Sequence, residues 1–184
     1  MRILFATGNP HKVEELRAVL AGCGVEVETI PVPKLELQAG DIAKIAAAAA
    51  SLAYTAAGRP VAVEDAGLFI RALSWFPGPY SSYVYSTIGV KGVLKLMEGV
   101  VDRYAEFRSV IAYAGPWGVR LYTGVARGRI AEEPRGSGGF GFDPIFIPMG
   151  SDRTFAEMSV EEKNRFSHRA AAARKLCRDL REFI

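Results

Sequence analysis

The chain opens with a short apolar run that stops abruptly and passes straight into a helix signal. Residues 2–6, Arg2-Ile3-Leu4-Phe5-Ala6, read as a strand, and Thr7-Gly8-Asn9-Pro10 breaks it. Asn9 suits an N-cap and Pro10 suits the first helical position. Glu14 and Glu15 follow in the first turns, and Val13, Leu16, Val19 and Leu20 make one apolar face. Gly22 and Gly24 end the helix. A strand feeding directly into an amphipathic helix commits this end of the chain to an α/β arrangement.

The alternation continues downstream. Residues 25–30 read as a second strand, and Pro31 and Pro33 open a loop carrying Glu36 and Gln38. Residues 41–57 have high helix propensity, and Gly58-Arg59-Pro60 stops them. Residues 61–63 read as a buried strand ending at Glu64 and Asp65. A loop at Pro77-Gly78-Pro79 and a helix over 88–97 follow. Residues 107–113 and 119–130 pair as a hairpin around Gly115-Pro116-Trp117-Gly118. Residues 145–147 make a short strand. Ser159 to Glu162 forms a capping box, and a last helix runs over 168–183. The expected fold is α/β: a mixed, twisted central sheet flanked by helices, in two lobes with a cleft between them. No repeat or linker divides the chain, so residues 1–184 read as a single domain.

Composition narrows the classes. The chain has 184 residues, 49% hydrophobic and 23% charged, the balance of a globular protein. The net charge of +3 is not concentrated in any run of Lys and Arg, which argues against nucleic acid as a partner. No apolar segment approaches the ~18 residues of a membrane span, and the first run is too short for a signal peptide. The cytoplasm is the default. Cys23 and Cys177 lie far apart with no CxxC pair, so two reduced thiols are expected. Amides and imidazoles are scarce: Asn9, Asn164, Gln38, His11 and His168 are all there are. That scarcity suits a heat-adapted protein, and all five lie in segments singled out for other reasons.

Four segments carry chemistry. The first is Thr7-Gly8-Asn9-Pro10-His11-Lys12. Backbone N–H groups at a helix start bind anions, Gly8 allows close approach, and Lys12 adds charge one turn in. GxxxxGK[ST] is absent, so this is no Walker loop, and the same residues also suit a plain capped helix. The second is Val63-Glu64-Asp65-Ala66-Gly67. Adjacent strand residues point to opposite faces, so Glu64 and Asp65 should not share a task. A carboxylate at a strand end can hold Mg²⁺ or merely cap a turn. Glu36 is a further oxygen ligand candidate. The third is Gly136-Ser137-Gly138-Gly139-Phe140-Gly141-Phe142-Asp143. A Phe on a glycine-rich loop can stack on a base, or both rings can be core. The fourth is Lys163-Asn164-Arg165-Phe166-Ser167-His168-Arg169, where cations at a helix start call for an anion or another acceptor. A solvated charged turn would look the same.

In this order the segments resemble the inosine triphosphate pyrophosphatase family. The matching pieces are residues 7–12 and 35–38, Val63 to Leu68, Phe76 to Ser81, Gly139 to Pro144, residues 154–158, Glu161 to Lys163 and Ser167 to Arg169. They span nearly the whole chain. The resemblance implies Mg²⁺-dependent hydrolysis of ITP, dITP or XTP to monophosphate and pyrophosphate. It implies that Thr7, Gly8, Asn9 and Lys12 hold the triphosphate. Glu36 and Asp65 would bind Mg²⁺, with Asp65 also the general base. Ala66, Phe140, Gly141, Phe142, Asp143, Lys163, His168 and Arg169 would complete the pocket, with Phe140 stacked on the purine. It also implies a homodimer. Ala66 and Phe142 depart from the family's usual hydroxyl and polar aromatic residues, and the helix after Glu36 carries only Lys44. The alternatives are a pyrophosphatase for other modified nucleotides and a non-catalytic nucleotide-binding protein.

Overall fold

A computed structural model describes residues 1–31 and 37–181. Six strands form one sheet: β1 (Arg2–Ala6), β2 (Glu26–Ile30), β3 (Val61–Ile70), β4 (Tyr104–Gly115), β5 (Gly118–Ile130) and β6 (Phe146–Pro148). The order across the sheet is β2-β1-β3-β4-β5-β6. β1 pairs in parallel with β2 and β3, and the remaining pairs are antiparallel. The sheet is therefore mixed, as expected of crossovers at one end and hairpins at the other.

The helices are α1 (Pro10–Ala21), α2 (Ile42–Ala57), α3 (Ser81–Thr87), α4 (Gly89–Leu96), α5 (Val160–Phe166) and α6 (His168–Arg181). Local signals set their ends. The Asn9 side chain accepts from the N–H of His11 and of Lys12, capping α1. Gly58 takes a left-handed conformation at φ 65° and ends α2. Ser159 and Glu162 close a reciprocal capping box on α5.

α2 covers one face of the sheet, with Ile42, Ala46 and Ala50 against Phe69, Val110 and Ala112. The other face carries two separate apolar bodies. One joins α1 and α6 to Ala62 and Ile111. The other gathers Leu68, Ile70, Phe107, Phe146 and Phe155. Along β3 the shared face reads Ala62, Glu64, Ala66, Leu68, and along β4 it reads Phe107, Ser109, Ile111. A polar band crosses the sheet between the two apolar bodies.

Two expectations are corrected. β3 does not stop before its carboxylates: it runs on to Ile70, paired with β4 throughout, so Glu64 and Asp65 lie mid-strand opposite Ile111 and Val110. Long-range pairing to β4 outweighs the poor strand propensity of two adjacent acids. The cysteines are not free thiols. Cys23 and Cys177 form a disulfide across 154 residues of sequence. α1 and α6 pack together in one core, and that brings the two positions within bonding reach.

Candidate active site

Glu64 sits at the centre of the polar band with its side chain 1% exposed. Ser109, from β4, donates to Oε1 at 2.7 Å, and Arg169, from the first turn of α6, donates to the same oxygen at 3.1 Å. Lys12 Nζ lies 2.7 Å from Oε2. Its aligned hydrogen bond goes instead to the backbone oxygen of Glu64, at 3.2 Å. Burial alone would raise the Glu64 carboxyl, but Arg169 and then Lys12 outweigh it and hold it well below the ordinary range.

Two further carboxylates complete the network. Glu15, on the buried side of α1, accepts from Lys163 at 2.6 Å and from Arg169. Asp143 accepts from Lys163 at 2.6 Å. Lys12, Lys163 and Arg169 are thus matched by Glu15, Glu64 and Asp143. Burial raises the Asp143 carboxyl against the pull of Lys163. Burial opposes the charge on Arg169, while Glu64 and Glu15 favour it and prevail. The cations at the start of α6 therefore do meet acceptors, and these come from elsewhere in the chain.

Asp143 also shapes the glycine loop by accepting from the backbone N–H of Phe140 at 2.9 Å. Gly139 must be glycine there: its φ is 66°, and a Cβ would stand 2.2 Å from Asp143 Oδ2. The Phe140 ring is partly exposed, with Lys163 Nζ 5.1 Å and the Arg169 guanidinium 5.4 Å from its centroid. Phe142 is different. Its ring is buried edge-on against Tyr85, so only its backbone and that of Gly141 can face a ligand. His168 is fully buried and stacked on Phe107. Burial, assisted by the charge on Arg169, holds its imidazole neutral, far below the usual value of 6.5.

At the helix start, Thr7 Oγ1 accepts from the N–H of Asn9, and Asn9 Oδ1 takes the N–H groups of His11 and Lys12. Those two N–H groups already have a partner, so the anion-binding capacity of this turn rests more on Lys12 than on bare backbone.

Asp65 alternates to the α2 face, away from Glu64. Burial pushes its carboxyl up from 3.8 to about 6; Lys12 opposes that rise and Glu64 adds to it. Among the described residues no group of three or more acidic, His or Cys side chains is placed to hold a metal ion. Glu36 lies outside the described residues. The donor chemistry nonetheless fits Mg²⁺, which takes one or two carboxylates and completes its shell with water and phosphate oxygens. Asp65 offers one such carboxylate.

Lys12, Glu64, Phe140, Asp143, Lys163 and Arg169 therefore converge, while Asp65 lies on the other face of the sheet. Glu15 and Ser109 were not anticipated. Glu15 had a signal, since it lies one turn after Lys12 on the same helix face. Ser109 had none.

The sequence profile of the Ham1 family matches residues 3–179. The chain belongs to the Ham1 family. It is similar to the dITP/XTP pyrophosphatase of Hyperthermus butylicus, 58% identical over 98% of this chain and 95% of that one. It is similar also to the dITP/XTP pyrophosphatase of Methanopyrus kandleri, 55% identical over 94% of this chain and 92% of that one. A solved structure of a HAM1 protein from Coxiella burnetii is 34% identical, with a TM-score of 0.86 and 99% coverage of each chain. The six-stranded mixed sheet is thus a Ham1 fold.

Proposed function

We propose that this Ham1 protein hydrolyses deaminated purine nucleoside triphosphates (ITP, dITP and XTP) to the monophosphate and pyrophosphate, and so cleanses the nucleotide pool. The single observation that carries the reading is the contact of Lys12, Arg169 and Lys163 through shared buried carboxylates beside Phe140. That arrangement supports a reading in which Lys12 meets phosphate, Lys163 and Arg169 meet the base, and Phe140 stacks on it. The names of the relatives support the substrate class.

In this reading Thr7, Gly8, Asn9 and Lys12 bind the triphosphate. Asp65 and Glu36 hold Mg²⁺, which supplies charge neutralisation on the phosphates. The Asp65 carboxylate takes a proton from the attacking water as oxygen adds to the α-phosphorus and pyrophosphate departs. Lys12 offsets charge on the leaving group. Phe140 stacks on the purine, and Ala66, Gly141, Phe142, Asp143, Lys163, His168 and Arg169 line its edges. Hypoxanthine offers an O6 acceptor and an N1–H donor, and adenine offers the reverse, so a buried pocket built for the first leaves polar groups unpaired with the second. Cations near C2 donate to the 2-oxo group of xanthine and disfavour the 2-amino group of guanine.

We read residues 1–184 as one domain of a cytoplasmic homodimer, with no nucleic acid or membrane partner. Val119, Leu121 and Val125 support self-association: they alternate along β5 and are exposed. Among the described residues no helix is long and apolar enough to cross a membrane. The test is an assay of ITP, XTP, GTP and ATP with Mg²⁺ that separates pyrophosphate from phosphate. Pyrophosphate from ITP and XTP, with little from GTP and ATP, is expected. Release of phosphate alone, or equal turnover of GTP, overturns the reading.

A further inference from the structure

The proposed chemistry makes no use of Glu64, yet this is the most completely enclosed carboxylate of the site. A carboxylate taken out of water is costly unless it is paired and hydrogen-bonded. Partners from three elements meet that cost: Ser109 on β4, Lys12 on α1 and Arg169 on α6. The two oxygens face different ends of the cleft. Oε1 is fixed by Ser109 and Arg169, while Oε2 faces Lys12. Oε2 has a charge contact but no aligned hydrogen bond. An ammonium carries three donors, and Lys12 spends one on the Glu64 carbonyl. Lys12 is therefore held in place with donors to spare for a further oxygen, and its side chain is 18% exposed.

We propose that Glu64 is a positioning residue that ties the phosphate end of the pocket to the base end. It holds Lys12 and Arg169 at a fixed separation. The reading rests on the function proposed above. Ser109 locks the carboxylate rotamer, and one rigid group then sets the place of both cations. A base that seats badly against Arg169 disturbs Glu64, and through it the alignment of Lys12 on the tail. Misplacement on that scale is felt in turnover more than in binding. A merely structural ion pair would stabilise the fold and leave the two cations energetically independent.

The test is a double-mutant cycle of Lys12→Gln and Arg169→Lys on the full chain, in the wild-type and the Glu64→Gln backgrounds. Each protein is read by kcat and KM for ITP with Mg²⁺, and by calorimetric binding of ITP without metal. Glu64→Gln is expected to lower kcat/KM about 10-fold, mostly in kcat. The cycle in the wild-type background is expected to depart from additivity by about 5-fold, and to become additive in Glu64→Gln. Glu64→Asp keeps the charge but is too short to reach both partners, so it should not rescue turnover. If Glu64→Gln does not fold, Ser109→Ala frees Oε1 and should weaken the same coupling. Equal coupling in both backgrounds, or normal kcat with only a lower Tm, overturns the proposal. If the wild type binds ITP without releasing pyrophosphate, the proposed function falls and the binding cycle still judges Glu64. If it does not bind ITP, both fall.

Discussion

The His11 imidazole lies flat against the Phe140 ring, with centroids 5.3 Å apart and planes inclined by 12°. The contact joins the start of α1 to the glycine loop, and so the proposed phosphate-binding turn to the proposed base-stacking ring. It also shows that Phe140 presents a face that a flat ring accepts. Stacking of a base on an aromatic side chain contributes about 1–3 kcal/mol. Phe140→Leu keeps the bulk and removes the π face. Steady-state kinetics should show KM for ITP raised roughly 10-fold, with kcat less affected. An unchanged KM removes Phe140 from the base.

Asp65→Asn separates chemistry from stability. Loss of a general base typically costs about 10²–10⁴-fold in turnover. Stability should move the other way. The folded carboxyl titrates at about 6 and the free one at 3.8, so the folded state binds the extra proton between those values. Stability therefore falls as pH rises through that window, and the full penalty stands above it. At neutral pH the Asn variant escapes this cost, a gain of about 1–3 kcal/mol measured by denaturant unfolding in EDTA. Near-normal turnover removes Asp65 from the role, and a loss of stability denies that its burial is costly.

Much of this was legible in the sequence because the signals were local. Asn9 and Pro10 start α1, Gly115 to Gly118 turns the hairpin of β4 and β5, and Ser159 with Glu162 starts α5. The illegible parts depend on distance along the chain. Ser109 meets Glu64 across 45 residues, and Arg169 meets Glu15 across 154. Neither contact leaves a local pattern. The length of β3 was hidden for the same reason: two acids interrupt its apolar run, and the cations that make them tolerable lie on α1 and α6. The disulfide follows from helix packing, and no spacing rule gives it.

That disulfide should matter to stability. It closes a loop across 154 residues, and native bridges contribute about 2–5 kcal/mol. Cys23→Ser with Cys177→Ser should lower the unfolding free energy by roughly that amount in denaturant titrations. Reductant should destabilise the wild type and leave the double variant unmoved. A wild type indifferent to reductant would show that the bridge is unimportant or unformed.

His168 gives a pH signature of opposite sign to Asp65. Its folded imidazole titrates far below the ordinary 6.5 because it is buried, with Arg169 adding repulsion. Below 6.5 the unfolded chain gains a proton that the folded one refuses. The stability contributed is complete above that pH and drains away as pH falls, at up to about 1.4 kcal/mol per pH unit. His168→Gln does not titrate. Its unfolding free energy, followed from neutral to mildly acidic pH, should decline less steeply than that of the wild type. Parallel curves would mean that His168 is protonated in the folded state.

Glu15→Gln tests whether the network is balanced by charge or only by hydrogen bonds. Glu15 holds Lys163 with one oxygen and Arg169 with the other, and all three side chains are almost fully buried. Gln keeps the size and one acceptor but leaves three cations, two of them buried, facing two carboxylates, Glu64 and Asp143. Removing one partner of a buried ion pair typically costs about 3–5 kcal/mol, because the remaining charge is uncompensated. Lys163 retains Asp143 and Arg169 retains Glu64, so the lower end of that range is expected in urea unfolding. A second change settles the cause. Adding Lys163→Met to Glu15→Gln restores the charge count, and it should recover part of the loss even though it removes another hydrogen-bonding group. If the double variant is instead less stable than Glu15→Gln alone, hydrogen bonds rather than charge balance hold the band together.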